Sequence, residues 1–150
     1  MEILANTGLR RKEALQLKWK EVHEDSIDVI SLTAERTKSG KWRNVPLTQK
    51  AKQALKRFEK DKADEYVFPK HDVHSMSRAF ARVLARAPIA EPKGSLHCLR
   101  HTFCSHLVIA GVPLRTVQKL AGHASFTTTE KYAHLSNDHL SDAIKMLDDE

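Results

Sequence analysis

The stretch between residues 95 and 110 constrains the fold of this chain more than any other part of it. Its apolar side chains recur three and four residues apart, the spacing of one helix face: Leu96, Leu99, Phe103, Leu107 and Ala110. His97 and Arg100 lie together just beside that stripe. Gly111 and Pro113 then end the helix and open the next one. The pattern predicts a buried helix that projects two polar side chains from one edge.

The first third of the chain predicts a turn between two helices, followed by a small antiparallel sheet. Gly8 interrupts the apolar pattern of residues 2–20, so a helix end, a turn and a short helix with Arg10 and Glu13 are expected there. Residues 27–32 alternate as a strand does, and a turn at residues 38–41 separates them from a second strand at residues 43–47. Pro46 places that second strand at an edge of the sheet.

The remaining elements are predicted to be helices. Residues 48–60 and 75–87 are amphipathic, the latter with Met76, Phe80, Val83 and Leu84 inward. A helix opened by Pro113 ends at Gly122. Thr127 and Glu130 suggest a capping box, which would place Tyr132 in the first turns of a further helix. A last helix is expected at about residues 137–147, with Leu140, Ala143, Ile144 and Leu147 on one face.

Size and charge favour a single domain with a polyanionic partner. A chain of 150 residues with 41% hydrophobic residues can bury one core but not two ordinary ones. The net charge is +6, and the basic excess lies in residues 1–62, with 15 Lys and Arg against 9 Asp and Glu. Residues 137–150 are acidic. Nucleic acid is therefore a reasonable partner, contacted through the N-terminal half.

The two cysteines and the lack of a targeting signal indicate a cytoplasmic protein. Cys98 and Cys104 lie six residues apart on a predicted helix, about 9 Å along its axis, which is too far for a disulfide. Reduced thiols are expected. No signal peptide and no apolar run of about 18 residues is found in the sequence.

Five short motifs occur in a fixed order along the chain. They are Thr7 to Glu13, Thr37 to Lys41, His97 to Arg100, His123, and Tyr132. In order and spacing these motifs resemble the catalytic set of the tyrosine recombinase (phage integrase) family, from about Ile3 to about Leu135. Each motif alone is weakly specific, but five in the right order are strongly so.

The resemblance implies a mainly helical α+β catalytic domain with a three-stranded antiparallel sheet. It implies a site-specific recombinase that cleaves and rejoins DNA through a 3′-phosphotyrosyl intermediate, for integration or excision of a mobile element. The expected partners are double-stranded DNA and other protomers, four in the active complex. Neither metal, ATP nor another cofactor is expected, and a bacterial or phage origin fits.

Carried over residue by residue, the resemblance assigns six catalytic residues, Arg10, Lys38, His97, Arg100, His123 and Tyr132. Tyr132 would be the nucleophile, and Arg10, Arg100 and His123 would bind the phosphate, because an arginine fork can hold two phosphate oxygens. His97 would take the phenolic proton and Lys38 would protonate the leaving 5′ oxygen. Glu13 would orient Arg10 or His97.

Three alternatives stay open from the sequence. His97, His101 and Cys104 share one helix face and could bind a metal ion, although a fourth ligand at zinc spacing is missing. Residues 111–121 could form the turn and recognition helix of a DNA-binding module. The third alternative is a relative of the recombinases that has lost catalytic activity.

The chain departs from the family in length. Only nine residues precede Arg10, whereas family members usually carry further catalytic-domain residues and a helical DNA-clamping domain ahead of it. Residues 1–150 are therefore expected to be a catalytic domain truncated at its N-terminus.

Overall fold

The computed structural model describes residues 1–23, 29–37, 40–58, 65–68, 72–88 and 94–136. Within these ranges, seven α-helices and three strands follow in the order α1 Glu2–Thr7, α2 Arg11–Leu15, β1 Val22–His23, β2 Val29–Leu32, β3 Arg43–Pro46, α3 Gln49–Lys56, α4 Val73–Arg86, α5 His97–Ile109, α6 Leu114–Ala121 and α7 Thr127–Glu130. Short 3₁₀ helices lie at Trp19–Glu21, Ala34–Arg36 and Ala133–Leu135. The predicted fold class, mainly helical with a small antiparallel sheet, is confirmed.

The sheet has the order β1-β2-β3 and is antiparallel throughout. Ile30 is central, since it pairs with Val22 on one side and with Val45 on the other. Pro46 lies in edge strand β3, as predicted, because a proline has no N–H to offer a further strand. The two residues of β1 are too few for a sequence pattern to reveal. Residues 27 and 28, predicted to open β2, lie outside the described residues.

The larger apolar core lies between the sheet and helices α1, α3 and α4. It is built from aliphatic and aromatic side chains that include Ile3, Leu4, Leu17, Ile30, Leu32, Leu55 and Phe80. Thr48 caps α3 by accepting a hydrogen bond from the N–H of Ala51, and Asp72 caps α4 in the same way at Ser75. In α4, Val83 is 55% exposed, so its predicted inward orientation is wrong.

A smaller core joins α5, α6 and the segment after α7. Cys104, Val108, Val117, Ala121 and Tyr132 form it. Both cysteines are free, as predicted. Helix α5 packs against the larger core at its N-terminal end and belongs to the smaller core further along. It therefore contacts both the N-terminal and the C-terminal parts of the described chain.

Contact with both cores shifts the buried face of α5 from the predicted stripe. The residues of this segment that are buried are Leu96, Arg100, Cys104 and Val108. Leu99, Phe103 and Leu107 are only half-buried, and Ala110 is exposed. The apolar pattern missed this face because one of its members is an arginine.

The segment around Tyr132 also differs from expectation. Helix α7 ends at Glu130 with Phe126 at its N-cap, so Thr127 does not cap it and Tyr132 follows the helix. The predicted helix at residues 137–147 lies outside the described residues, as does Lys38. Among the residues that the structure describes, no helix has the length and apolar character needed to cross a membrane.

A substitution at Gly8 tests how closely the end of α1 approaches α5. Its backbone is left-handed, with φ of 62°, and a Cβ there would lie 2.4 Å from the Phe103 ring. We expect Gly8→Ala to lower the free energy of unfolding by about 2–4 kcal/mol, since strain and overlap add. Urea denaturation followed by circular dichroism measures this.

Gly40→Ala is the matched control, because Gly40 has a similar φ of 65° and open space around it. It should cost only about 1–2 kcal/mol, the strain of the left-handed backbone alone. Equal losses in the two variants would contradict the close approach.

Candidate active site

A cleft of about 820 Å³ lies between α2, the segment after the Ala34–Arg36 helix, and the start of α5. The residues that line it include Arg10, Glu13, Thr37, His97 and Arg100. Four of these, all but Thr37, were singled out from the sequence. The fold thus brings residues from two distant segments to one concave surface.

Arg10 is fixed at the N-terminus of α2 by hydrogen bonds on both sides. Its backbone N–H donates to Glu13 Oε2 at 2.7 Å, and its Nη1 donates to Oε1 at 2.8 Å. Its Nη2 donates to the carbonyl oxygen of Gly122 at 2.7 Å. Both carboxylate oxygens of Glu13 therefore accept hydrogen bonds from Arg10.

Glu13 also binds a second arginine, which sequence reasoning missed. Arg43 donates from Nη1 to Oε1 at 3.1 Å and from Nη2 to Oε2 at 2.9 Å. The Glu13 side chain is only 2% exposed. Burial alone would raise the pKa of Glu13, but hydrogen bonds and charge from Arg43 and hydrogen bonds from Arg10 bring it below its usual value.

A signal for Arg43 was present in the strand pattern. Arg43 and Val45 lie on the same face of β3, and both are buried. An arginine at an inward position of a strand needs a buried anion, and Glu13 is that anion.

Arg100 is a buried cation whose two terminal guanidinium nitrogens differ in their hydrogen bonding. It is 2% exposed, and its Nη1 donates to the carbonyl oxygen of Gly8 at 2.6 Å. Its Nη2 has no hydrogen-bond partner among the described residues. Burial, then the charge of Arg10, lowers the pKa of Arg100 to about 10, so it remains a cation at neutral pH. A buried, unpaired donor in a residue that lines the cleft favours an anionic ligand.

His97 lies at the start of α5 with its side chain exposed at the cleft. Partial burial and the charges of His101, Arg100 and Arg10 lower the pKa of His97. Its ring packs perpendicular to the ring of His101, with centroids 4.9 Å apart. Among the described residues, no hydrogen bond joins His97 to Tyr132.

Tyr132 instead meets His101. Its hydroxyl oxygen lies 2.5 Å from His101 Nδ1, and the residue is 8% exposed. Burial and the adjacent Cys104 thiol raise the pKa of Tyr132 to about 12, although the charge of Arg100 opposes this. The hydroxyl is therefore protonated at neutral pH.

His123 follows the left-handed Gly122 that ends α6. Its Nδ1 lies 2.8 Å from the hydroxyl oxygen of Thr129, and its backbone N–H donates to Gln118. Burial and the charges of Arg100 and Arg10 lower the pKa of His123 to about 4, so its ring is neutral at pH 7. Arg10 contacts the carbonyl of Gly122 and so supports the residue just before His123.

The described ranges offer no support for the metal alternative. Within them, no three His, Cys, Asp or Glu side chains are grouped to hold a metal ion. Cys104 is buried beside Tyr132 rather than free to join His97 and His101.

Comparison with known proteins identifies the class of protein that this fold and site define. The model of the phage integrase family matches residues 1–139. The chain therefore belongs to the phage integrase family.

Individual relatives agree with the family match. Tyrosine recombinase XerD of Brucella abortus biovar 1 (strain 9-941) is 37% identical over 153 residues, covering 93% of this chain and 48% of the relative. The chain thus spans about half the length of that relative.

Two solved structures have the same fold. The catalytic domain of bacteriophage HP1 integrase is 31% identical with a TM-score of 0.72, covering 95% of this chain and 77% of that one. The Tn1549 transposon integrase in complex with circular intermediate DNA is 26% identical with a TM-score of 0.76, covering 97% and 58%.

Glu13 is expected to dominate the stability of the site. Glu13→Gln leaves Arg10 and Arg43 without their shared anion, and we expect a loss of about 3–5 kcal/mol in the free energy of unfolding. Glu2→Gln is the control, because the Glu2–Arg57 pair is exposed on both sides and should be worth less than about 1 kcal/mol.

The same carboxylate should produce a pH dependence. Because folding lowers the pKa of Glu13 below its ordinary value of 4.5, the stability that Glu13 contributes is present above pH 4.5 and is lost as the pH falls through the folded-state pKa. Urea denaturation at several pH values below 5 should show a steeper fall for wild type than for Glu13→Gln. Parallel curves would contradict this.

Proposed function

We propose that this chain is the catalytic domain of a site-specific DNA recombinase that cleaves and rejoins strands through a 3′-phosphotyrosyl intermediate. The observation that carries the proposal is the buried Arg100 at the cleft, whose Nη2 has no hydrogen-bond partner within the part of the chain that the structure describes. The family match and the shared fold support it. Double-stranded DNA would be the substrate.

The arginines would bind the scissile phosphate. Arg10 and Arg100 both line the cleft. Glu13 pairs with Arg10 and Arg43, whereas no carboxylate among the described residues forms an ion pair with Arg100. A phosphate oxygen at Arg100 Nη2 would satisfy that donor and offset the repulsion between the cations. Fixed cations at this point also stabilise the charge that grows on phosphorus-bound oxygens in the transition state.

The histidines would add hydrogen bonds to the same phosphate. His97 is exposed at the cleft. In His123, a hydrogen bond from the Thr129 hydroxyl to Nδ1 would leave the proton on Nε2, which could then donate to a phosphate oxygen. The pKa of about 4 keeps His123 a neutral donor at physiological pH.

Tyr132 would be the nucleophile. Its oxygen attacks phosphorus, the bond to the 5′ oxygen breaks, and the departing oxygen takes a proton, for which Lys38 is the proposed donor. The ester formed is close in energy to the one broken. Rejoining by the 5′ hydroxyl therefore needs no ATP.

Assembly and cellular role are part of the proposal. Recombination joins two duplexes, so four protomers would act together in the cytoplasm. The solved Tn1549 integrase is in complex with circular intermediate DNA, which favours integration or excision of a mobile element.

Chromosome-dimer resolution is a second candidate, favoured by the 37% identity to tyrosine recombinase XerD. Covalent complexes can be isolated from cells of the source organism and their DNA sequenced. Adducts at one fixed chromosomal site would support dimer resolution, and adducts at the ends of an element would support mobility.

Removing the Tyr132 hydroxyl tests the nucleophile. We expect Tyr132→Phe to abolish covalent adduct on a nicked suicide duplex, while noncovalent DNA binding stays within about threefold, since only the attacking oxygen is lost. A denaturing gel detects the adduct. Tyr66→Phe, which changes the other tyrosine, should react normally, and an adduct in Tyr132→Phe would refute the assignment.

Replacing the planar guanidinium of Arg100 by an ammonium group tests its proposed role in phosphate binding. Arg100→Lys should slow single-turnover cleavage by about 10²–10³-fold, because a point charge cannot replace two directed donors. Arg82→Lys, at an exposed position of α4, should leave the rate unchanged. Normal cleavage in a folded Arg100→Lys variant would mean that Arg100 only supports packing.

A further inference from the structure

The hydrogen-bond partner of the proposed nucleophile is His101, which lies outside the six residues that the family resemblance assigns. His101 is next to Arg100 on α5, and its Nδ1 lies 2.5 Å from the Tyr132 oxygen. The two ring centroids are 5.9 Å apart and the rings are inclined by 44°. The distance between the Tyr132 oxygen and His101 Nδ1 is short enough for direct proton transfer from a phenol to an imidazole.

We propose that His101 is the general base that takes the phenolic proton of Tyr132 during strand cleavage. The proposal rests on the proposed function, and it replaces His97 in that one role. His97 stays at the cleft, where it would contact the phosphate. His101 is a catalytic residue in this proposal because it touches the reacting oxygen.

The other groups near the Tyr132 oxygen cannot accept its proton. Arg100 is a cation. Burial raises the pKa of the Cys104 thiol, which therefore stays protonated and offers only a weak acceptor. His101 is the one imidazole that contacts the Tyr132 hydroxyl within the described part of the chain.

The buried setting of Tyr132 makes a base necessary. With the pKa of Tyr132 raised to about 12, very little phenolate exists at neutral pH. A neutral phenol is a weak nucleophile, so its proton must leave as the bond to phosphorus forms. The hydrogen bond to His101 already lies along the path of that transfer.

The step balances without any further reactant. The proton moves from the Tyr132 oxygen to His101 Nδ1 while that oxygen bonds to phosphorus. The pair of electrons in the bond to the 5′ oxygen leaves with that oxygen, which takes a proton from the proposed acid, Lys38. In rejoining, the 5′ hydroxyl attacks phosphorus and gives its proton to Lys38, while the bond from phosphorus to the Tyr132 oxygen breaks and His101 returns its proton to that oxygen.

A positioning role is the competing interpretation of the same hydrogen bond. His101 would then only hold the hydroxyl in place, and proton transfer would occur elsewhere. His101→Asn separates the two roles, because the amide oxygen of Asn can accept a hydrogen bond near the position of Nδ1 but cannot take a proton at neutral pH.

The experiment combines this variant with a more acidic phenol. The chain has two tyrosines, so Tyr66→Phe leaves Tyr132 as the single site for incorporation of a trifluorinated tyrosine. With ordinary tyrosine, His101→Asn should slow adduct formation on the suicide duplex by about 100-fold or more. With the fluorinated residue, most of that loss should be recovered, because the phenol ionises without a base.

His106→Asn is the matched control, since His106 is exposed on the same helix. It should leave the rate unchanged with either tyrosine. A loss in His101→Asn that fluorination does not recover would overturn the proposal in favour of positioning. An unchanged rate in His101→Asn would overturn it outright.

A second substrate separates loss of the base from loss of the acid. A 5′-bridging phosphorothiolate has a leaving sulfur that needs no proton, so it should restore Lys38→Ala but not His101→Asn. Restoration of His101→Asn would mean that His101 serves the leaving group, which contradicts the proposal. Absence of adduct with the unmodified protein would refute the proposed function itself, and the inference with it.

Discussion

The buried carboxylate of Glu13 is the interaction on which the rest of the site depends. It binds Arg10 from α2 and Arg43 from β3, and Arg10 in turn holds the carbonyl of Gly122. Helix α2, the sheet and the end of α6 therefore meet at one anion. Without it, two cations would face each other with no shared anion, at a cost that is a large part of the free energy that keeps a domain folded.

Glu13 pairs with Arg10 and Arg43 and also acts electrostatically on Arg100, so one negative charge faces three positive ones. The charge of Arg10 adds to burial in lowering the pKa of Arg100, so the site carries excess positive charge before any ligand is present. Without a ligand, repulsion among these cations destabilises the site. A monoanionic or dianionic group bound in the cleft would offset that repulsion. Folding thus prepares the electrostatic field that a phosphodiester would need.

Much of the fold was predictable from the sequence because its signals are local. Gly8, Pro46 and Gly122 each act within a few residues along the chain. The contact of His101 with Tyr132 and the burial of Arg43 depend on residues 31 and 30 positions away. No pattern within one element shows these contacts, and the exposure of Val83 likewise depends on what packs against α4.

Helix α5 carries Arg100 and His101 on consecutive residues, so the proposed phosphate-binding arginine and the hydrogen-bond partner of Tyr132 are joined by one peptide unit. A helix is stiff along its axis, and these two side chains cannot move independently by more than their own rotamers allow. Any tilt of α5 against α1, where Arg100 holds Gly8, would displace both groups together. A movement of α5 would therefore change phosphate binding and the hydrogen bond to the nucleophile at the same time.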